Sequence, residues 1–309
     1  MSTTEIPYLT KNWRPVDGCT PVSDGCDNCY ALRNAKRWKR SFQVTTRPER
    51  LEEPLHWRKP QRVGVCFHGD LFHEKVPDEF LDKVFAVMAL TPQHTYVLLT
   101  KRPERMRAYL TMLDREPTSG APTRNHIAMT ALSMSLEALW ANPRSTLGDD
   151  LLADERGLVD WPLPNVWLGV SVENQQAADE RIPLLLETPA AHRWLSVEPL
   201  LGPLDLHRVS PGLLGTSAIF DALGGRRWED NGETINATAC ARLDWVVVGG
   251  ESGPHARECP VEWIAYMVGQ HEAAGVPLYV KQDSGPRPGQ QGRIPDALWA
   301  VKQLPDGWA

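Results

Sequence analysis

The chain has 309 residues, 42% of them hydrophobic and 23% charged, with a formal net charge of −6. That length is enough for one large core, since a complete (β/α)8 barrel takes about 250 residues. The acidic balance, with a pI near 5.9, argues against a non-specific binder of duplex DNA and leaves local basic patches as the only places for anionic partners.

The N-terminus, Met1-Ser-Thr-Thr-Glu-Ile-Pro-Tyr8, has no apolar leader, and no apolar run is long enough to span a bilayer. A cytoplasmic location without membrane partners is therefore expected. In a reducing cytosol, clustered thiols signal metal binding or catalysis more often than disulfides. Twelve tryptophans and 26 prolines are many for this length, and the tryptophans read mainly as core or loop anchors.

A short first strand is predicted through Trp13–Val16. It runs into a loop holding three of the six cysteines, Cys19, Cys26 and Cys29, spaced Cys-x6-Cys-x2-Cys. Gly18, Pro21, Ser23, Asp24 and Gly25 make this a turning loop rather than a helix or strand. Thiolates select zinc, copper(I) or iron–sulfur clusters. A structural zinc ion takes four ligands and an electron-transfer cluster normally four thiolates, so three local cysteines suggest an iron left open for a non-protein ligand. The alternatives are a zinc site completed by a distant residue (Cys66, Cys259 or a histidine) and three ordinary thiols.

Ala31–Arg40 is helix-forming and strongly basic. Residues 41–61 read as loop with a short strand near Gln43–Thr45. A repeated pattern then begins. Arg62–His68 is a β-type run, Pro77–Leu90 has helical apolar spacing, Thr95–Thr100 is a buried strand, and Pro103 opens a helix carrying Met106, Tyr109, Leu110 and Leu113. An insertion at about 114–162, with a helical piece around His126–Trp140, interrupts the rhythm. It returns with strands Asn165–Ser171 and His192–Val197 around a helix near 176–187. A second, Gly-rich insertion covers about 207–242. Strand Asp244–Gly249, helix Val261–Ala274 stopped by Gly275, and strand Val276–Val280 close the series. The tail, 284–309, is a Gly/Pro loop and a short helix around Pro295–Lys302.

Alternating apolar strands and helices mean a parallel sheet covered by helices. The expected fold is α/β: one (β/α) TIM-like barrel domain over 1–309, full or partial, of six to eight strands with two insertions. A doubly wound sheet is the alternative, without the usual Gly-x-Gly-x-x-Gly turn. The strand ends are polar: His68-Gly-Asp70, Lys101-Arg102, Ser171-Val-Glu173-Asn174, Glu198, Gly249-Gly-Glu251-Ser252 and Lys281-Gln282. In a parallel barrel these ends share the face on which active sites are built, and the cysteine loop opens on the same face. Lys101, Glu251 and Lys281 are the candidate catalytic groups of this cup. A minor alternative makes His68, Asp70 and His73 the metal ligands of a hydrolase barrel, which leaves the cysteines unexplained.

A three-cysteine loop after the first strand of a parallel barrel resembles the radical S-adenosylmethionine superfamily. More closely, Gly18-Cys19 through Cys29-Tyr30-Ala31, Leu99-Thr-Lys-Arg-Pro-Glu-Arg-Met106, Trp167-Leu-Gly-Val-Ser-Val-Glu-Asn174, Leu195-Ser-Val-Glu-Pro-Leu-Leu-Gly202 and Gly249-Gly-Glu-Ser-Gly253 resemble an uncharacterised phage-associated three-cysteine family. The resemblance covers nearly the whole chain outside the insertions. The first cysteine gap is six residues where the superfamily has three. Asn28 stands where it has an aromatic residue, and His68-Gly69-Asp70 replaces its Gly-Gly-Glu.

The resemblance implies that Cys19, Cys26 and Cys29 hold a [4Fe–4S] cluster, that S-adenosyl-L-methionine chelates the open iron, and that an external electron donor reduces the cluster. Cleavage would give a 5′-deoxyadenosyl radical that abstracts hydrogen from the substrate. By strand order, Asp70 would meet the cofactor's amino group, and Ser171, Glu173 or Glu198 its ribose or carboxylate. The phage association and the basic residues Arg33, Lys36, Arg37, Lys39, Arg40, Lys101, Arg102, Arg105 and Arg107 make a nucleotide or nucleic acid the leading substrate, with a peptide or small metabolite as the other options. A zinc- or cluster-stapled binding module is the non-catalytic alternative.

Overall fold

The computed structural model describes residues 4–111, 123–141, 161–211, 218–230 and 235–308. Seven strands form one parallel sheet: β1 (Lys11–Trp13), β4 (Arg62–Val65), β5 (Thr95–Thr100), β6 (Val166–Ser171), β7 (His192–Val197), β11 (Trp245–Gly249) and β12 (Leu278–Gln282). They lie in the order β1-β4-β5-β6-β7-β11-β12, curled into a half-barrel with β1 and β12 as its two edges. The partial form of the expected barrel is the one observed; β1 and β12 do not pair, so the full eight-stranded closure is not.

Helices connect these strands. α1 (Tyr30–Arg37) follows the cysteine loop, α2 (Asp78–Ala89) joins β4 to β5, and α3 (Pro103–Thr111) and α4 (Thr123–Ala141) lie between β5 and β6. α5 (Gln175–Glu187) joins β6 to β7, α6 (Val261–Ala274) joins β11 to β12, and α7 (Asp296–Trp299) follows β12. Asn174 starts α5 by accepting the Ala177 N–H on its side chain at 2.9 Å, which satisfies a free first-turn donor. Gly275 stops α6 at φ 65°, as its place after the last periodic residue suggests.

Because strand side chains alternate between faces, the sheet builds two different cores. Val63, Val65, Leu98, Leu168, Val170, Leu195, Val197, Val246 and Val248 join the helices in the larger one. The opposite, concave face carries Val97, Trp167, Trp194, Trp245, Val247 and Tyr279, packed with Tyr8, Leu9 and Trp308. Trp194 and Trp245 stack at 5.5 Å, and Trp308 lies 5.0 Å from both Trp167 and Trp245. The tail read from sequence as loop and helix therefore ends as core, with Trp308 only 5% exposed.

The structure departs from the sequence expectations in two places. Strand pairing stops at Trp13 and resumes as β2 (Val16–Asp17), which pairs antiparallel with β3 (Thr45–Thr46). Pro15, lacking an N–H, breaks the single strand expected over Trp13–Val16. The second insertion is a three-stranded antiparallel sheet of β8 (Ala218–Asp221), β9 (Arg226–Asp230) and β10 (Ile235–Ala239). Each of its strands has only four or five residues, too few to show a period. The β8–β9 turn is made by Asp221, whose carboxylate accepts the Leu223 and Gly224 N–H groups. In the first insertion, the helical piece expected around His126–Trp140 is α4; residues 112–122 and 142–160 lie outside the described residues.

The tryptophan layer sets a tight requirement at Gly169. The Trp194 indole lies across β6, donating to the Leu98 carbonyl at 2.8 Å. A Cβ on residue 169 would sit 2.3 Å from its nitrogen. Gly169→Ala should therefore displace a fully buried indole and cost about 1–3 kcal/mol, read as a lower midpoint in denaturant unfolding. An unchanged midpoint would mean that the concave core is loosely packed.

Candidate functional site

The alternation that stacks the tryptophans continues to the C-terminal ends of the strands. Counting by twos, Trp167 leads to Gly169, Ser171 and Glu173; Trp194 to Ser196 and Glu198; Trp245 to Val247, Gly249 and Glu251; and Tyr279 to Lys281. On β5 the same count from Val97 reaches Leu99 and Lys101. The register aligns Ser171 with Ser196 and Ser196 with Val247, so Glu173, Glu198 and Gly249 share the next row, with Glu251 two residues beyond. The structure thus brings Lys101, Ser171, Glu173, Glu198, Glu251 and Lys281 to one concave mouth.

Each carboxylate in this mouth has a cation. Lys101 Nζ lies 3.0 Å from Glu173 Oε2, which also accepts from Arg181 Nη1 at 2.9 Å. Lys281 Nζ donates to Glu198 Oε2 at 3.0 Å. Arg257 grips Glu251 with Nη2 on Oε1 at 2.6 Å and Nε on Oε2 at 3.0 Å. Burial opposes ionisation of Glu173, yet Lys101 and Arg181 outweigh it and hold the carboxyl below its ordinary range. Glu251 is likewise held low against burial by its hydrogen bonds from Arg257 and Asn28. Glu173 Oε1 and Glu198 Oε1 are buried and unpartnered; the former lies under the cysteine loop, 3.3 Å from where a Cβ on Gly25 would sit, and the Ser23 hydroxyl helps hold the Glu173 charge.

Asp70 lies beyond the end of β4, and both of its oxygens are occupied. Oδ1 accepts the Phe72 N–H at 3.0 Å and the Thr100 hydroxyl at 2.8 Å, and Oδ2 accepts Arg102 Nη1 at 2.9 Å. Its evident work is to hold Arg102, whereas the sequence reading assigned it to a ligand. Ser171 donates its hydroxyl to the Glu198 carbonyl at 3.3 Å, and its own carbonyl accepts from Arg181.

The cysteine loop is fastened over this mouth at three points. Arg102 reaches Cys19 Sγ at 3.3 Å, the Thr20 carbonyl at 3.0 Å and the Thr20 hydroxyl at 2.7 Å. The middle of the loop lies against the Lys101–Glu173 pair: a Cβ on Gly25 would come 2.6 Å from Lys101 Nζ. At the far end, Arg257 donates to the Asp24 carbonyl and Asp27 carboxylate, and Asn28 to Glu251 Oε2. Asn28 is thus a tie between loop and mouth. The aromatic ring beside the last cysteine is that of Tyr30, packed edge-on at 5.5 Å against His68.

Cys19, Cys26 and Cys29 are free and partly exposed. Burial, reinforced by Asp70 and only partly offset by Arg102, pushes the Cys19 thiol up to about 11. A metal displacing that proton would place the ligand beside a ready guanidinium. Among the described residues, no three His, Cys, Asp or Glu side chains are grouped to hold a single ion. Cys66 and Cys259, the distant candidates for a fourth ligand, are buried in the helix-side core. His73 is engaged at both ring nitrogens: Nε2 with the Thr20 hydroxyl at 2.9 Å, and Nδ1 accepting the Lys75 N–H at 3.2 Å. Asp70 and His73 are thus already committed to protein partners.

Of the arginines that organise the site, Arg102 is legible at its strand end, whereas Arg181 and Arg257 were missed. Arg181 carries a visible signal: it falls on the stripe Ala177, Ala178, Ile182 and Leu185, the buried face of α5, where a charge needs a partner. Arg257 lies in an irregular loop and offers no such signal.

A parallel α/β half-barrel with a three-thiol loop roped across a charged mouth defines the class of protein. The chain belongs to the family DUF5131, described as "Protein of unknown function", whose model matches residues 3–294. No curated protein and no solved structure matches it.

Two predictions concern the charge pairs. Arg102→Leu leaves Asp70 buried without its cation and should cost about 2–3 kcal/mol, measured by urea unfolding. Adding Asp70→Asn should recover part of that loss, and purely additive losses would refute the coupling. For Glu173, the folded carboxyl titrates below the ordinary 4.5, so its contribution is complete above that value and lost as pH falls through the folded one. The stability gap between wild type and Glu173→Gln should be widest near neutral pH and shrink below about pH 4, checked by unfolding at a series of pH values.

Proposed function

We propose that the chain is a radical S-adenosylmethionine enzyme, with Cys19, Cys26 and Cys29 as ligands of a [4Fe–4S] cluster. The observation that carries the reading is a loop with three thiols held by ion pairs over a mouth whose carboxylates, paired with cations, keep two buried oxygens unpartnered. The donor set fits both groups: thiolates suit iron–sulfur centres, and a zwitterionic nucleoside cofactor needs acceptors for its ammonium and hydroxyls and a cation for its carboxylate. When bound, the cluster and cofactor supply one-electron cleavage and hydrogen abstraction, with an external donor providing the electron.

The chain's own residues bind and orient. Glu173 and Glu198 would be the acceptors for the cofactor's hydroxyls or ammonium. Lys101 and Lys281, each on one of those carboxylates, bring positive charge to the same row and are placed to meet a carboxylate or a substrate anion. Asp70 acts through Arg102, which steadies the first cysteine. Glu251 acts through Arg257 and Asn28, which steady the last turn of the loop. Gly25 allows the loop to approach the Lys101–Glu173 pair where a side chain would collide.

Anaerobic iron–sulfide reconstitution should give four irons per chain in wild type and almost none in the Cys19→Ala/Cys26→Ala/Cys29→Ala variant. With dithionite and S-adenosylmethionine, 5′-deoxyadenosine should form only with the wild type. Glu173→Gln and Glu198→Gln should retain iron but lose cofactor affinity by about tenfold or more. Stoichiometric zinc without sulfide or cleavage would replace this reading with a metal-stapled binding module.

A further inference from the structure

A cleft of about 440 Å³ opens beside the cysteine loop, between the first turns of the chain, α1 and the segment that follows α1. Its size falls within the range of small-molecule sites. Although the whole chain is net negative, four arginines line this cleft against two carboxylates, Asp17 and Glu49. Gly18, the neighbour of Cys19, and His68, at the end of β4, form part of its wall.

The arginines are arranged unequally. Arg50 is committed, bidentate to Glu53 at 2.7 and 3.2 Å. Arg14 and Arg47 instead meet at Asp17, at 3.8 and 3.3 Å, and Arg47 also reaches Glu49 at 3.9 Å. Ion pairs this long leave guanidinium donors unused, and partly exposed pairs of this kind exchange cheaply for a better acceptor. Arg40 has no carboxylate within salt-bridge distance among the described residues; its guanidinium lies 5.6 Å from the centroid of the Trp38 ring. Trp38 is 52% exposed, unusual for the largest apolar side chain, and it borders the same cleft. His68 Nδ1 is buried in the cleft wall without a hydrogen bond.

These features have one chemistry in common. Guanidinium forks match phosphate oxygens, an exposed indole beside an arginine is a platform for a nucleobase, and an unused ring nitrogen awaits a polar partner. We propose that this cleft binds a nucleotide unit, with its phosphate on Arg14 and Arg47 and its base on Trp38. The cationic sulfonium of S-adenosylmethionine suits it poorly, so the cleft is not a second place for that cofactor. A free mononucleotide and a nucleotide within a single strand present the same groups. Binding here does not depend on the cluster, so it can be tested whether or not the radical chemistry is upheld.

The test is isothermal titration calorimetry of the full chain, without added iron or cofactor, against AMP, adenosine, inorganic phosphate and a short single-stranded oligodeoxynucleotide. Saturable binding of AMP or the oligonucleotide, at least tenfold tighter than adenosine or phosphate, is expected. Trp38→Ala and Arg14→Ala/Arg47→Ala should each weaken it by about tenfold or more, while Trp38→Phe, which keeps a ring, should retain most of it. Tighter binding of the oligonucleotide than of AMP, with a salt slope near −0.7 per phosphate contact, would identify a polynucleotide as the source; equal binding would identify a free nucleotide. Failure of both nucleotide forms to bind would overturn the proposal. So would binding that survives both alanine variants, provided circular dichroism shows them folded.

Discussion

The structure depends on a two-residue count along the strands. Side chains on a pleated strand alternate faces, so once Trp167, Trp194, Trp245 and Tyr279 occupy the concave side of the half-barrel, every second residue after them is bound to the same side. The aromatic layer provides the base of the mouth, the small residues Gly169, Ser171, Ser196 and Gly249 come next, and the charges follow. Gly249 fits this order for a local reason, since a Cβ there would lie 3.0 Å from Glu198 Oε1. A one-residue slip of any of these strands would turn its aromatic residue off the concave side and its charge out of the mouth. The apolar core therefore fixes the position of the polar site.

Above that row the organising force changes from packing to charge. The cysteine loop contributes no large apolar side chain to either core; Val22 within it is 45% exposed. It is held instead by guanidinium groups that each serve two masters: Arg102 joins Asp70 to Cys19 and Thr20, and Arg257 joins Glu251 to Asp24 and Asp27. A pair of that kind transmits position, because the carboxylate fixed at the strand end sets the arginine and the arginine sets the loop. The carboxylates Asp70 and Glu251 are nearly buried, so removing either arginine strands a charge, which costs more than the lost contact itself.

Much of this was legible in the sequence. The parallel sheet followed from runs such as Trp245–Gly249, and the shared face of Lys101, Glu173, Glu198 and Lys281 followed from their places at strand ends. Partner identities were not legible. Asp70 reads from sequence as a free acceptor because nothing local reveals that Thr100, Phe72 and Arg102 fill it. Arg257 acts across 230 positions on Asp27, a pairing that only the closed fold creates. The small sheet of β8, β9 and β10 was missed because its strands, of four or five residues each, are too short to show a period. Pro15 was the one visible sign that the first strand is split, and its meaning lay in the missing N–H.

Trp308 packs against Trp167 and Trp245 on the concave face, alongside Tyr8 from the other end of the sequence. Contacts that span so much chain are slow to form, because the loop they close is large. During synthesis, then, the helix-covered side of the sheet can condense strand by strand, while the aromatic side waits until residue 308 has left the ribosome. In that interval a wet, tryptophan-rich surface is open to the cell, and a chaperone or a premature partner chain has its best opportunity there.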